Sequence, residues 1–276
     1  MIQELKIKNF LSFKEEVTFS FEATKDTFAE DFQVVEVAEG VRLLRFAMVY
    51  GANASGKSNL LKAFDFLHNF WFEKPDGIDE ETGVIPFKLD SLTPNEPSCF
   101  ELIFYVGSTK YWYQLKLDEK QVFCEKLFYY KSVQPTLLFE RELKDSQSVI
   151  TFNPTAVKIS SIAKEKIAVE CLKNMSFFAA RDKVNVSIPI IDVAKDWIKN
   201  QILPIVEPKT FMFQYAERQM LKDQDIKSYL LDFVREADFN IVDVNTQTEK
   251  KEVPQEFVDI ILKNNELTEE DKQDLT

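Results

Sequence analysis

Eight residues carry the chemistry that stands out in this chain. Gly51 to Ser58 read GANASGKS, and the apolar run Phe46-Ala47-Met48-Val49-Tyr50 stands directly before them. Two glycines framing four small or polar residues, then Lys and Ser, make a phosphate-binding loop of the form G-x-x-x-x-G-K-[ST]. A nucleoside triphosphate presents a row of anionic oxygens, and holding it takes many donors in little space. Gly51 and Gly56 permit close backbone approach. Successive N–H groups then form an anion nest, and the start of the following helix adds its positive end. Lys57 is placed for the β- and γ-phosphates and the Ser58 hydroxyl for Mg²⁺. Asn53, Ala54 and Ser55 are small enough to keep the loop compact. The candidate cofactor contacts are therefore Gly51, Ala52, Asn53, Ala54, Ser55, Gly56, Lys57, Ser58 and Asn59. Ser58 is the one metal ligand, and ATP with Mg²⁺ is the expected cofactor.

The loop needs a strand before it and a helix behind it. Phe46–Tyr50 has the continuous apolar character of a buried strand. Leu60, Leu61, Phe64, Leu67 and His68 recur at helical spacing, which predicts a helix over Lys57–Phe72 packed on a sheet. His68, the sole histidine, is then a packing residue on that helix. Ahead of the loop, MIQELKIKNFLSF and EEVTFSF read as two short strands, with a polar loop at Thr24–Asp31. The phosphate loop thus follows an antiparallel layer instead of opening the chain.

The opening LKIKNFLSFKEEVTFSF with MVYGANASGKSNLLKAF resembles the N-terminal half of the RecF/SMC-like ABC-type ATPases. More closely, it is similar to the bacterial AAA family ATP/GTP-binding proteins of phage-defence and abortive-infection operons, the RloA-like type. The stretch CFELIFYVGSTKYWYQLKLDEKQVFCEKLFYYK, the later LFERE, and YLLDFVREADFNIVDVNTQ carry the same resemblance. It implies an α/β P-loop NTPase of the ABC-ATPase head type. Such a head has a mixed sheet, an antiparallel β layer and a helical insertion. It also implies heads that dimerise around ATP, and an effector nuclease as a further partner.

The remaining motifs of such a site are missing from the pattern. No strand ends in Asp-Glu. Ile188–Asp192 ends in one acid but contains Pro189, Tyr229–Asp232 reads as helix, and Val258–Leu262 lacks a following acid pair. No Ser/Gly signature occurs, and His68 stands too early to be a switch residue. No catalytic residue is assigned. Gln114, Gln121 and Gln134 are equivalent candidates for a second Mg²⁺ contact. The expectation is an N-terminal half of an ABC-type ATPase, inactive by itself. The alternatives are a standalone nucleotide-binding regulator, a P-loop kinase or phosphotransferase, and a β-rich interaction module with a relic loop. A kinase would need a clustered set of arginines, whereas Arg141, Arg181, Arg218 and Arg235 are scattered.

Composition bounds the partners. The 276 residues carry a net charge of −12 and 25 Phe, which fits real hydrophobic cores and argues against a broad nucleic-acid surface. Lys110-Tyr111-Trp112-Tyr113 and Tyr129-Tyr130-Lys131 read as two faces of a sheet before they read as stacking platforms. No apolar run is long enough for a membrane span, and no signal pattern opens the chain. Cys99, Cys124 and Cys171 are odd in number and not at metal spacing, as for packed thiols in a reducing cytoplasm. Residues 1–152 are expected to form the loop-bearing lobe and 153–240 a helical insertion. Residues 241–276 would supply a strand (Ile241–Gln247) and a helix (Pro254–Asn264) leading towards a C-terminal lobe. Within the first lobe, 73–96 reads as a surface loop and 99–152 as strands. Helices are expected at Ala156–Asn174, Ile190–Gln201 and Asp225–Ala237, the last capped by Asp225.

Overall fold

The computed structural model describes residues 1–207 and 209–245. The chain divides into two compact units, 1–205 and 206–276.

The first unit is built on a seven-stranded antiparallel sheet of order β2-β1-β5-β6-β7-β8-β9. Its strands are β1 (Ile2–Lys8), β2 (Val17–Ser20), β5 (Ser98–Val106), β6 (Thr109–Leu117), β7 (Val122–Tyr130), β8 (Pro135–Lys144) and β9 (Gln147–Phe152). Alternation sets the register. Leu5, Leu102, Tyr113, Leu127, Phe139 and Phe152 pair in one row across six strands and are all buried. The neighbouring row puts Lys6, Glu101, Gln114, Lys126 and Glu140 on the opposite face. A one-residue slip would invert both faces, so the core fixes the pairing. Gly107, at φ 57, makes the tight β5–β6 turn.

Helix α2 (Lys57–Phe72) coincides with the expected span. It buries Leu60, Ala63, Leu67, Phe70 and Trp71, a stripe at spacings of three and four. Trp71 meets Tyr113 edge-on at 5.2 Å, and Phe66 lies 5.1 Å from Phe100. Glu73 leaves in extended conformation with Pro75 just beyond, which stops the helix. Three more helices share this core: α3 (Ser161–Glu170), α4 (Phe177–Arg181) and α5 (Pro189–Gln201). Phe177 stacks on Phe139 at 3.8 Å, and Trp197 on Phe104 at 4.8 Å. The part of the expected helical insertion up to residue 205 therefore belongs to the first unit. Its first helix is also shorter than Ala156–Asn174, since Ser160 caps α3 by accepting from the Ala163 N–H.

Several expectations are corrected. Phe46–Tyr50 is not a strand. It follows the hairpin of β3 (Val34–Ala38) and β4 (Val41–Leu44), which adjoins the short helix α1 (Glu30–Gln33), and it makes no ladder bond among the described residues. Phe46, Met48 and Tyr50 are 68, 73 and 89% exposed. A strand needs neighbours to satisfy its backbone, and this run pairs with none of the described strands. Residues 73–96 are not a plain surface loop either. Thr82, Val84 and Pro86 alternate inward, and Thr93 is buried. In the second unit, α6 (Phe213–Lys222) and α7 (Gln224–Glu236) form a helical pair, and the cap of α7 is Asp223, which accepts from the Asp225 N–H, rather than Asp225. Residues 241–245 are irregular. The rest of the expected Ile241–Gln247 strand, the Val258–Leu262 run and the Pro254–Asn264 helix lie outside the described residues.

The largest polar feature of the core was not expected at all. Glu125 and Arg141 are fully buried on adjacent strands, 3.5 Å apart. Glu125 accepts from the Tyr113 and Ser176 hydroxyls and the Phe177 N–H, at 2.7–2.9 Å. Arg141 donates to Ser148 and to the carbonyls of Leu172, Lys173 and Met175. Burial pushes the Glu125 carboxyl up, and the Arg141 guanidinium together with the three donors pulls it back. The pair fastens segment 172–177, and with it α4, to β6–β8. Arg141→Met should therefore leave a buried, uncompensated carboxylate and cost about 3–5 kcal/mol in urea denaturation. A loss below about 1 kcal/mol would show that the pair does not hold the core.

Candidate phosphate-binding site

The loop Gly51–Ser58 closes onto the N-terminus of α2. The Ser55 N–H donates to the Ala52 carbonyl at 3.3 Å, and Ala54 takes the left-handed conformation at φ 62. Gly56 is the helix N-cap at φ 91, without a capping side chain. Its carbonyl accepts from the N–H groups of Asn59 and Leu60 at 2.9 and 3.2 Å. The N–H groups of Asn53, Ala54, Gly56, Lys57 and Ser58 have no protein acceptor among the described residues. These main-chain donors thus stand open at the positive end of a sixteen-residue helix. A polyanion is the complement of such an array.

Lys57 adds a mobile cation. Its Nζ donates to the carbonyls of Gly51 and Ala52 at 2.9 and 2.7 Å, so the ammonium lies over the mouth of the loop. Ser58 is exposed in the first helical turn. Asn53, Ala54 and Ser55 are likewise exposed, so the loop opens to solvent. Asn59 differs from the others: its side-chain amide donates to Ser12 Oγ at 2.9 Å. The structure therefore gathers Gly51 to Ser58 as one site and turns the Asn59 side chain to the β1–β2 turn.

The other candidates have structural roles. Asp192 sits in the first turn of α5, bound bidentately by Arg181 at 2.7 and 2.9 Å and accepting from the Ile188 N–H. Asp232 is on α7, 3.4 Å from Arg235. Gln114 donates to Glu101 on the outer sheet face. His68 is tilted against Phe72 at 5.5 Å, as a helix-face residue should be. Tyr111 and Tyr113 are buried, while Lys110 lies over the Tyr130 ring and Trp112 stacks on Phe128, so this alternation is two faces of one sheet. Burial raises the three cysteine thiols, which suits packing groups and not nucleophiles. Among the described residues no cluster could hold a metal ion by side chains alone, and no helix is long and apolar enough to cross a membrane.

Loop, helix and antiparallel β layer occur here in one continuous order. Residues 46–159 match the family described as AAA domain, putative AbiEii toxin, Type IV TA system. The matched stretch begins at Phe46 and takes in the phosphate loop, α2 and β5 to β9. It is thus similar to a P-loop ATPase domain, and the mixed α/β architecture with its large antiparallel sheet agrees with that. Among curated proteins, none matches the chain.

Gly56 is the position where the loop tolerates least. A Cβ there would stand 2.6 Å from Ser12 Oγ, and φ 91 is unfavourable for any other residue. Gly56→Ala should shift the amide resonances of residues 51–59 and lower stability by about 1–2 kcal/mol. Unchanged loop resonances would show that the loop accommodates a side chain there.

Proposed function

We propose that this chain binds ATP with Mg²⁺ at Gly51–Ser58, as the nucleotide-binding lobe of an ABC-type ATPase of the RecF/SMC-like kind. The observation that carries the reading is the set of open N–H groups at the start of α2, with the Lys57 ammonium beside them. Lys57 would exchange the carbonyls of Gly51 and Ala52 for the β- and γ-phosphates. Ser58 would supply its hydroxyl to Mg²⁺, and the main-chain donors would hold the β-phosphate. The ion would neutralise charge on the phosphates.

Binding and turnover separate in this reading. Hydrolysis needs a group that orients the attacking water and a second surface that closes over the γ-phosphate. Neither has a candidate among the described residues. The exposed apolar run Phe46–Tyr50 supports a lobe that gains further strands beside the loop, since among the described residues it has no ladder and leaves large side chains in solvent. Pairing of two heads around ATP and control of a nuclease effector are what the resemblance implies, and an abortive-infection role also fits the description of the matched family as a putative AbiEii toxin. A cytoplasmic location fits that setting.

Two substitutions test the site. Lys57→Ala should weaken a non-hydrolysable ATP analogue at least about tenfold by calorimetry, since a charge-assisted bond contributes about 1.5–3 kcal/mol. Ser58→Ala should weaken it in Mg²⁺ and change little in EDTA. Equal affinity of the wild type and a folded Lys57→Ala variant would remove the assignment, and steady ATP hydrolysis by the purified chain would contradict the separation of binding from turnover.

A further inference from the structure

The turn joining β1 to β2 reaches the phosphate loop from outside the motif. Ser12 Oγ accepts from Asn59 Nδ2 at 2.9 Å and lies 2.6 Å from where a Gly56 Cβ would stand, while Phe13 Cε1 lies 3.9 Å from the same point. Gly56 and Asn59 are themselves joined by the Asn59 N–H to Gly56 carbonyl bond. One hydroxyl thus abuts both ends of the first turn of α2, where three of the open donors sit.

The turn behind that hydroxyl is stiff. Phe10 and Phe13 exchange backbone bonds at 2.8 and 3.0 Å, and the Leu11 N–H donates to the Ile85 carbonyl at 2.9 Å. Asn9 and Leu11 are held at φ 53 and 50, a conformation that persists only where surroundings over-determine it. For Asn9 the surroundings are explicit. Its buried side chain donates to the carbonyls of Thr93 and Glu96 and accepts from the Phe87 N–H, at 2.8–3.0 Å. Lys14 continues the strap 2.7 Å from Asp90, whose carboxyl that bond and the N–H groups of Leu92 and Thr93 hold down at about 2. The sheet, the 82–98 segment and the turn therefore form one support ending at Ser12.

We infer that Ser12 is a positioning residue for phosphate binding: through Asn59 and Gly56 it fixes the first turn of α2 so that the N–H groups of Gly56, Lys57 and Ser58 converge. Asn59 then acts on the nucleotide through the loop's shape instead of touching it. The inference rests on the ATP reading above.

Calorimetry with a non-hydrolysable ATP analogue and with ADP, on the full chain, tests it. Ser12→Ala and Asn59→Ala should each weaken both nucleotides about 3- to 10-fold, the effect of one hydrogen bond. The double variant should bind no more weakly than the worse single variant, since both remove the same bond. Ser12→Thr, which keeps the hydroxyl, should bind within about twofold of wild type. The thermal midpoint of Ser12→Ala should stay at the wild-type value, because the residue is exposed. Single variants that bind as wild type does, additive losses in the double variant, or a Ser12→Thr variant as weak as Ser12→Ala would each overturn the inference while leaving the ATP site intact. A wild-type chain that binds neither nucleotide would overturn the ATP reading and this inference with it.

Discussion

A main chain that leaves the N–H groups of Asn53, Ala54, Gly56, Lys57 and Ser58 without protein acceptors must be held by something other than its own hydrogen bonds. That constraint organises the structure around Gly51–Ser58. Donors used up in turns could not bind phosphate, and donors on a slack loop would not converge. The chain meets both needs by fastening the loop at its ends. Behind it, α2 is fixed to the sheet through Leu60, Ala63, Leu67, Phe70 and Trp71. Beside it, the β1–β2 turn abuts Gly56 and Asn59. Gly51 to Ser55 and Ser58 are exposed and Gly56 and Lys57 half-buried, so the loop opens to solvent and its donors carry little burial penalty.

The sheet can act as an anchor because its own core is locked far from the loop. The aromatic layer between sheet and helices is dense, with Phe139 on Phe177, Phe104 on Trp197 and Trp71 on Tyr113. Apolar packing alone gives little direction, and the Glu125–Arg141 pair adds it. Every strong donor of Arg141 and both oxygens of Glu125 have partners, several on segment 172–177. Segment 82–98 plays the same part at the other end of the sheet, where Asn9 gathers three of its backbone groups.

What could be read from the residues follows from how local each signal is. The phosphate loop and α2 were legible because a glycine-framed motif and a helical stripe are contained within about twenty residues. The strands between Ser98 and Phe152 were legible from alternation and from the Gly107 turn. Phe46–Tyr50 has the composition of a strand, but a strand exists only with its neighbours, and composition does not supply them. Asp223 and Asp225 are both capable caps, and which is used depends on where the backbone enters the helix. The Arg141 hub joins residues more than thirty positions apart, so the sequence showed only one scattered arginine. The tie from Ser12 to Asn59 spans 47 positions and left no signal beyond the turn itself.

Amide hydrogen exchange with and without a Mg²⁺–ATP analogue reads the open N–H groups themselves. Nucleotide should strongly protect Asn53, Ala54, Gly56, Lys57 and Ser58, with protection extending to the 9–13 turn, β6 to β8 unchanged and the effect absent in Lys57→Ala. Exchange at residues 53–58 that stays as fast with nucleotide as without it would show that these N–H groups do not hold phosphate.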